Sequence, residues 1–251
     1  MHQSMKLSQR EEKLIRSLRQ KKYRKKEQLF IVEGTKLLSE VQKSAYELVQ
    51  VFASSEWLAT EGIDFKNVRE VEEADLKKVS NLSQPPGVLA LVAMKHEEKV
   101  AESDLTLALE HIQDPGNLGT ILRSAVAFGV KTVVCSTDTV DCYSPKVVQA
   151  SMGALFHLNL VYTDLESYLS QEKESKRIYG THLEGENLYK TTLQQPAILV
   201  MGNEANGLSP KVEKLLHQKL RIPHDASVES LNVSMATTVF LAEYRRRVDW
   251  G

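Results

Sequence analysis

The chain has 251 residues, of which 42% are hydrophobic and 26% charged, and its formal net charge is -1. This composition is typical of a folded globular protein and excludes a fibrous or disordered chain. No apolar run approaches a membrane span and the first residues lack the apolar core of a signal peptide, so we expect a cytoplasmic protein without a membrane partner. Two cysteines, Cys135 and Cys142, are too few for a disulfide framework or a zinc site, and we expect no bound metal.

Positive charge is concentrated at the beginning of the chain. Residues 1–30 hold ten Lys or Arg and three Glu, a net charge of +7, while the remainder holds 22 basic and 30 acidic residues, a net charge of -8. Such a segment suits a polyanionic partner, although a helix face exposed to solvent is the plainer interpretation of a basic run. The candidate phosphate contacts are Arg19, Lys21, Lys22, Arg24, Lys25 and Lys26.

The first 95 residues predict a small α/β domain. Residues 8–26 have the composition of a basic helix with Leu14, Ile15 and Leu18 on one side. The elements predicted after it are strands at 29–32, 48–53 and 87–93 and helices at 35–44 and 72–79. The polar stretch 96–104 has no apolar periodicity and is the expected linker.

Residues 105–251 predict a second domain in which strands and helices alternate. Because its strands are apolar throughout, we expect a parallel sheet covered by helices on both faces, and periodicity alone indicates a Rossmann-like fold. The predicted strands are 105–109, 132–135, 158–162, 177–182, 197–201 and 219–222, and the predicted helices are 118–128, 144–150, 165–170, 210–217 and 231–247.

Three segments of this second domain place a turn between an apolar strand and the start of a helix. They are LALEHIQDPGNLGTILRSA at 107–125, AILVMGNEANGLSP at 197–210 and IPHDASVESLNVSMA at 222–236. The first two turns contain glycine, and in the third Ser230 is placed to cap the following helix. Turns of this kind aim backbone donors into a cleft, but a single glycine-rich turn after a strand is usually only a turn.

In order and spacing, these three segments resemble the three motifs of the SpoU (TrmH-like) branch of the SPOUT RNA methyltransferases. Residues 21–34 and 83–90 resemble the substrate-binding domain that precedes the catalytic domain in many SpoU enzymes. The resemblance implies a parallel-sheet SPOUT domain with a C-terminal trefoil knot from about residue 197. It also implies an N-terminal α/β domain related to a ribosomal RNA-binding protein, S-adenosylmethionine as cofactor, and a homodimer formed through the C-terminal domain.

The resemblance also implies the catalytic candidates Asn117, Arg123, Glu204, Ser230 and Asn232. Arg123 lies off the apolar stripe of its helix, where an isolated charge would ordinarily be only solvated. Since guanidinium stays protonated, we favour a phosphate clamp that stabilises the developing alkoxide over a general base. Glu204 is either a partner of its own loop or an active-site acceptor. Asn232 could bind ligand, ribose or the opposite subunit.

The cofactor-binding candidates are the backbone of Gly202, Ile222 and Leu231, together with Met201 and Asn232. Residues 144–154 also resemble the family, but Gln149 stands where the family often has Arg, which makes a charged RNA contact there doubtful. The apolar stripe of the last helix is expected to be core or a dimer interface, and we assign it to a dimer. Its members are Val233, Ala236, Thr237, Phe240, Leu241 and Tyr244.

The function that the resemblance implies is 2′-O-methylation of a ribose in RNA. Large-subunit rRNA is the first choice of substrate, with a guanosine as the nucleoside, and tRNA is the alternative. A non-catalytic RNA-binding or ribosome-assembly protein is a second hypothesis, against which the intact Asn117, Arg123, Gly202 and Asn232 argue. A Rossmann enzyme that uses another nucleotide is disfavoured because the chain has no G-x-G-x-x-G turn.

Overall fold

The structure, a computed structural model, describes residues 5–61, 67–95, 99–203 and 206–248. The chain forms two compact units. Met1–Lys95 and Asp141–Phe156 make up the N-terminal unit, and His96–Val140 and His157–Gly251 make up the C-terminal unit. A segment from the middle of the chain therefore folds with the N-terminal residues. The proposed domain boundaries at 1–95, 96–104 and 105–251 stay a prediction, and residues 96–98 of the linker lie outside the described residues.

The helices and strands alternate along most of the chain. The helices are α1 Gln9–Ser17, α2 Lys21–Glu27, α3 Thr35–Gln42, α4 Ser55–Glu61, α5 Glu73–Val79, α6 Pro115–Ala127, α7 Pro145–Ser151, α8 Leu165–Glu172, α9 Pro210–Glu213 and α10 Val233–Val248. The strands are β1 Leu29–Glu33, β2 Leu48–Ala53, β3 Val68–Glu70, β4 Val88–Ala93, β5 Leu105–Leu109, β6 Thr132–Ser136, β7 Asn159–Thr163, β8 Arg177–Asn187, β9 Ala197–Met201 and β10 Gln218–Arg221. No helix among the described residues has the length and apolarity to cross a membrane.

The N-terminal unit is built on a four-stranded mixed sheet with strand order β1-β4-β2-β3. Strand β4 runs antiparallel to both β1 and β2, and β3 runs parallel to β2. Helices α1 and α5 close one core of this unit, which contains Ile15, Leu18, Ile31, Phe52, Leu76, Val79 and Leu89. The predicted strands are confirmed, whereas α4 and β3 were not predicted.

The basic segment forms two helices, so the prediction of one helix over 8–26 is wrong. A capping box of Ser8 and Glu11 starts α1, and the helix ends at Ser17, before Leu18 as C-cap. The Arg24 guanidinium then donates to the carbonyl oxygens of Leu18, at 2.8 Å, and Arg19, at 2.9 Å. Those carbonyls would be needed by a continuous helix, so the Arg24 contacts favour a break before α2.

Arg24 also forms a buried ion pair with Asp141. Its Nη2 lies 2.5 Å and its Nε 3.1 Å from Oδ2 of Asp141, and the two side chains are only 3% and 12% exposed. A guanidinium held in this way is engaged by the chain's own groups, which argues against the predicted RNA contact at Arg24. The same pair ties the beginning of the 141–156 segment to α2.

The C-terminal unit is built on a six-stranded sheet with strand order β10-β8-β9-β5-β6-β7. Every strand pair in it is parallel, which confirms the predicted parallel sheet. Leu109 at the end of β5 lies opposite Met201 at the end of β9 and opposite Cys135 near the end of β6. The loops that follow these strands therefore leave the sheet at the same edge.

Several element boundaries in this unit differ from those predicted. Helix α6 begins at Pro115 rather than at residue 118, because Asp114 caps it and proline occupies its first turn. Strand β8 extends to Asn187, helix α9 ends at Glu213, and α10 begins at Val233 rather than at residue 231. Helices α6 and α10 pack together, with the hydroxyls of Ser124 and Thr238 2.6 Å apart.

We predict that Arg24→Ala lowers the free energy of unfolding by about 3 kcal/mol, because it leaves the Asp141 carboxylate buried without its charged partner. Lys25→Ala removes the next, exposed side chain of the same helix and should change the free energy by less than about 0.5 kcal/mol. Urea unfolding of both variants measures the difference. Equal stability of the two would show that the buried pair is dispensable.

Candidate active site

The candidate site lies at the edge of the sheet where β5 and β9 end. The first sequence motif leaves β5 and the second leaves β9, and these strands are direct neighbours. The third motif follows β10 and leads into α10, which packs against α6. In open parallel sheets, ligands bind outside the carboxyl ends of the strands.

A cavity of about 390 Å³ opens between the second and third motifs. Met201, Gly202, Ile222, Ser230 and Leu231 all line it, so the structure brings together these five sequence-predicted residues. Apolar side chains such as Leu208 and Phe240 form part of its wall. The cavity thus combines an apolar surface with backbone groups of two loops.

Gly202 is required by the tight return of its own loop. A Cβ at this position would lie 2.4 Å from the carbonyl carbon of Gly207 and 2.7 Å from the backbone nitrogen of Leu208. Asn203 and Gly207 close the loop with reciprocal backbone hydrogen bonds of 2.9 and 3.0 Å. Gly207 has a φ of +66° but open space around its missing Cβ. Steric restriction at residue 202 therefore comes from the loop itself.

Asn203 and His111 join the second motif to the first. The Asn203 side-chain amide donates to the carbonyl oxygen of His111 at 2.9 Å, and its oxygen accepts from the backbone of Asn206. His111 has a φ of +56°, a left-handed conformation that is uncommon for residues with a side chain. Sequence reasoning did not assign this link, because a histidine in a turn carries no signal of which loop its carbonyl will meet.

The left-handed turn at His111 is held by the end of β6. Its backbone nitrogen donates to the Ser136 hydroxyl at 2.8 Å, and its ring nitrogen Nδ1 lies 2.6 Å from Asp138 Oδ2. The pKa of Asp138 is lowered mainly by the hydrogen bond that its carboxylate accepts from Ser136, and to a smaller extent by the interaction with His111. The carbonyl that receives Asn203 is thus fixed by two side chains from the neighbouring strand end and its turn.

Asn232 caps α10 and also contacts the first motif. Its side-chain oxygen accepts from the backbone nitrogen of Ser234 at 2.9 Å and from the hydroxyl of Ser234 at 2.6 Å. Its amide nitrogen donates to Asn117 Oδ1 at 3.0 Å. The predicted cap at Ser230 is therefore wrong, because α10 begins at Val233, three residues after Ser230, and takes its cap from Asn232.

Asn117 and Arg123 occupy different faces of α6. Asn117 sits in the first turn, where its backbone donates to the capping Asp114 side chain at 2.8 Å. Leu118, Leu122 and Ala125 are buried while Arg123 is exposed, as the predicted stripe requires. Asn117 and Arg123 are six residues apart, so they are separated by about 9 Å along the helix axis and by about 120° around it.

Arg123 is not part of the 390 Å³ cavity lining, and neither is Asn117. Within the described part of the chain, Arg123 makes no hydrogen bond or ion pair, so its guanidinium is free to meet a ligand. Glu204 lies outside the described residues. No group of His, Cys, Asp or Glu in residues 5–61, 67–95, 99–203 and 206–248 is arranged to hold a metal ion.

The parallel sheet, the cavity at its carboxyl edge and the three converging motifs define an α/β domain of the methyltransferase class. The SpoU rRNA Methylase family model matches residues 104–242, which is more than half of the chain, and the chain belongs to this family. A second model, for the MRM3-like substrate binding domain, matches residues 11–90.

Relatives of similar length support this assignment. The 23S rRNA (guanosine(2553)-2′-O)-methyltransferase RlmP of Bacillus subtilis is 29% identical over 232 residues, which cover 92% of this chain and 94% of RlmP. A TrmH-family structure from Porphyromonas gingivalis is 38% identical, with a TM-score of 0.88 and coverage of 97% of this chain and 100% of its own. An AdoMet-bound rRNA methyltransferase from Sinorhizobium meliloti is 27% identical, with a TM-score of 0.86 and 98% coverage of both chains.

We predict that Gly202→Ala weakens S-adenosylmethionine binding at least about tenfold, because the added Cβ forces the backbone at Gly207 to move. Gly129→Asn, at a glycine of left-handed φ that does not line the cavity, is the matched control. Asparagine tolerates a left-handed φ, and a Cβ there meets its nearest atom at 3.7 Å, so its affinity should stay within about threefold of wild type. Calorimetry on folded protein measures both, and a wild-type affinity for Gly202→Ala would remove this loop from the site.

Asn232→Asp separates the two roles of Asn232. The aspartate keeps the oxygen that caps α10, so we expect the free energy of unfolding to change by less than about 0.5 kcal/mol. It loses the amide that donates to Asn117, so we expect kcat/KM for methyl transfer to fall at least about tenfold. Unfolding and kinetic measurements test the two halves, and full activity of the variant would show that the contact with Asn117 is not needed.

Proposed function

We propose that this protein transfers a methyl group from S-adenosylmethionine to a ribose 2′-hydroxyl of large-subunit rRNA, and that the target nucleoside is a guanosine. The observation that carries the proposal is the convergence of all three SpoU motifs on one edge of the parallel sheet. RlmP, whose name specifies a guanosine of 23S rRNA, aligns with nearly the whole chain and supports the choice of substrate. A tRNA substrate is the alternative.

The cavity fits the proposed cofactor. Its volume of about 390 Å³ is in the range of small-molecule sites, and its wall offers both apolar side chains and loop backbone. The residues that would hold S-adenosylmethionine are Met201, Gly202, Ile222 and Leu231, with Asn232 next to them. When bound, the cofactor supplies a methyl group activated by its sulfonium. The AdoMet-bound structure of the Sinorhizobium meliloti relative supports this assignment.

The chain's own contribution is to orient and stabilise the attacking oxygen. We assign Arg123 to the phosphate next to the target ribose, where its permanent positive charge stabilises the developing alkoxide. The proton leaves to water or to that phosphate, because guanidinium does not accept it. Asn117, Ser230 and Asn232 are proposed to position the ribose, and Glu204 is kept as a proposed acceptor.

A methylation assay with labelled cofactor tests the function. The full chain should label large-subunit rRNA and leave tRNA unlabelled, and the labelled nucleoside should be 2′-O-methylguanosine. Labelling of tRNA alone would overturn the rRNA assignment. Absence of labelling on either RNA, together with intact RNA binding, would favour the non-catalytic RNA-binding hypothesis.

Arg123→Ala should lower the rate of methyl transfer at least about 1000-fold, since it removes the charge assigned to the alkoxide. The affinity for S-adenosylmethionine should stay within a few fold, because Arg123 does not line the cavity. Arg123→Lys retains a charge without the planar fork and should fall between the two proteins. A variant that lost cofactor binding but kept its maximal rate would contradict the assignment.

We propose that the N-terminal unit selects the RNA. Its remaining candidate contacts are Arg19 and the exposed Lys21, Lys22, Lys25 and Lys26, which supply affinity independent of sequence. The full chain is needed for any test, because a fragment of residues 105–251 would carry Asp141–Phe156 without the rest of the unit to which that segment belongs.

We also propose a trefoil knot and a homodimer for the C-terminal unit. The knot is supported by the position of β9 between β8 and β5 and by the packing of α10 on α6. The apolar stripe of α10, on which the sequence-based prediction of a dimer rests, does not support the dimer. Val233, Phe240, Leu241 and Tyr244 are buried within their own chain, so the apolar stripe does not require a partner surface. We propose instead that a second copy supplies its exposed Arg123 to the cavity, which the Arg123 of the same chain does not line.

Sedimentation at micromolar concentration tests the dimer. We expect a dimer under the conditions in which methyl transfer is measured. Mixing Arg123→Ala with Gly202→Ala protein should partly restore activity if one copy supplies Arg123 to the cavity of the other. A monomer with full activity would contradict the proposal.

A further inference from the structure

The N-terminal unit contains a second cavity, of about 340 Å³. It is formed by β1, the loop after α5 and helix α7, and its polar lining residues are Glu33, Asn81, Lys146 and Gln149. Ile31, Pro145 and Val148 add apolar surface. A cavity of this volume is large enough to hold a small ligand.

Glu33 is buried and already satisfied. Its carboxylate accepts from the Ser80 hydroxyl, from the Asn81 backbone nitrogen at 2.9 Å and from the Asn81 side-chain nitrogen at 2.9 Å. The Asn81 backbone N–H and one N–H of its side-chain amide are directed to Glu33, which leaves the side-chain oxygen of Asn81 as an acceptor for a ligand. The role of Glu33 is therefore to fix the edge of the cavity, not to bind the ligand.

Lys146 and Gln149 have no such partners. Among the described residues, neither the Lys146 ammonium nor the half-buried Gln149 amide forms a hydrogen bond or an ion pair. They lie three residues apart on α7, a spacing that places both on one side of the helix. The cavity thus presents one cation, one amide with both donors and acceptors, and the acceptor of Asn81.

Both edges of the cavity are bonded to the basic segment of residues 8–26. Arg19 donates to the carbonyl oxygens of Val79, at 3.1 Å, and Ser80, at 2.9 Å, next to Asn81. On the other edge, the Arg24–Asp141 ion pair fixes the segment that leads into α7. The cavity and the exposed lysines of α2 therefore belong to the same unit, and bonds from the basic segment join them.

From this arrangement we propose that the cavity binds one unpaired nucleotide of the RNA substrate. Lys146 contacts its phosphate, Gln149 and the Asn81 oxygen read the polar edge of its base, and the apolar lining packs on the base face. Side-chain amides pair well with base edges, and unpaired nucleotides are the usual targets of base-specific RNA recognition. The proposal rests on the proposed function and names a recognition site whose lining shares no residue with the 390 Å³ cavity.

Photocrosslinking of the full chain tests the location. The probe is a large-subunit rRNA transcript that contains 4-thiouridine, and crosslinked peptides are identified by mass spectrometry. We expect crosslinks in the peptide with Lys146 and Gln149 or in the peptide with Asn81, and their loss when an unlabelled transcript competes. Crosslinks confined to other peptides would overturn the proposal.

Two substitutions test the chemistry. Gln149→Ala should weaken RNA binding about tenfold without changing its salt dependence, since a neutral base contact is lost. Lys146→Ala should weaken RNA binding and reduce the salt slope by about 0.7 to 0.9, as expected for one phosphate contact. Both should leave S-adenosylmethionine affinity unchanged. Gln42→Ala and Lys131→Ala, at exposed positions outside the cavity, are the matched controls and should bind RNA as wild type does.

A variant with Lys21, Lys22, Lys25 and Lys26 all changed to Ala separates this proposal from the proposed function. If that variant loses RNA affinity while Gln149→Ala and Lys146→Ala do not, the nucleotide site is wrong but RNA binding by the N-terminal unit stands. If none of the variants differs from wild type and the wild-type protein methylates no RNA, the proposed function itself falls. Binding of a phosphopeptide rather than RNA at Lys146 would also overturn the proposal.

Discussion

The pairing of β5 with β9 is the constraint on which the site depends. These strands are distant in sequence, yet their parallel register sets Leu109 beside Met201, so two motifs leave the sheet together. The link from Asn203 to the His111 carbonyl then joins the two loops. The third motif is held next to the first by the packing of α10 on α6 and by the hydrogen bond from Asn232 to Asn117. The site therefore depends on contacts between segments that are far apart in the sequence.

Much of the fold follows from local patterns in the sequence. Buried parallel strands such as β5 and β9 are continuous apolar runs, and both were predicted with their observed limits. The observed start of α6 corresponds to the Asp114-Pro115 capping signal, whereas the start predicted at residue 118 follows the apolar spacing alone. The predicted start of a helix is wrong where two polar residues could each serve as its N-cap, as Ser230 and Asn232 could for α10.

Other features depend on contacts that no local pattern contains. A basic run does not show which of its members is buried, and Arg24 is buried because an acidic residue 117 positions later pairs with it. The stripe of α10 has the spacing of an apolar face, but spacing does not distinguish a surface covered by the same chain from one covered by a second copy. The motifs are sufficient to predict that Gly202, Ile222 and Leu231 lie together, and all three line the cavity. The need for glycine at residue 202 depends on how its loop returns at Gly207, which the motif does not contain.

The buried Arg24–Asp141 pair also limits how the N-terminal unit of this chain can be exchanged for that of a relative. Asp141 lies within the residues matched by the SpoU family model, yet it folds with the N-terminal unit. A hybrid joined near residue 100 would therefore inherit the arginine from one parent and the carboxylate from the other. If the second parent lacked an acid at this position, the hybrid would bury a lone guanidinium at a cost of several kcal/mol. A hybrid of this chain therefore keeps its buried charges balanced when positions 24 and 141 come from the same parent.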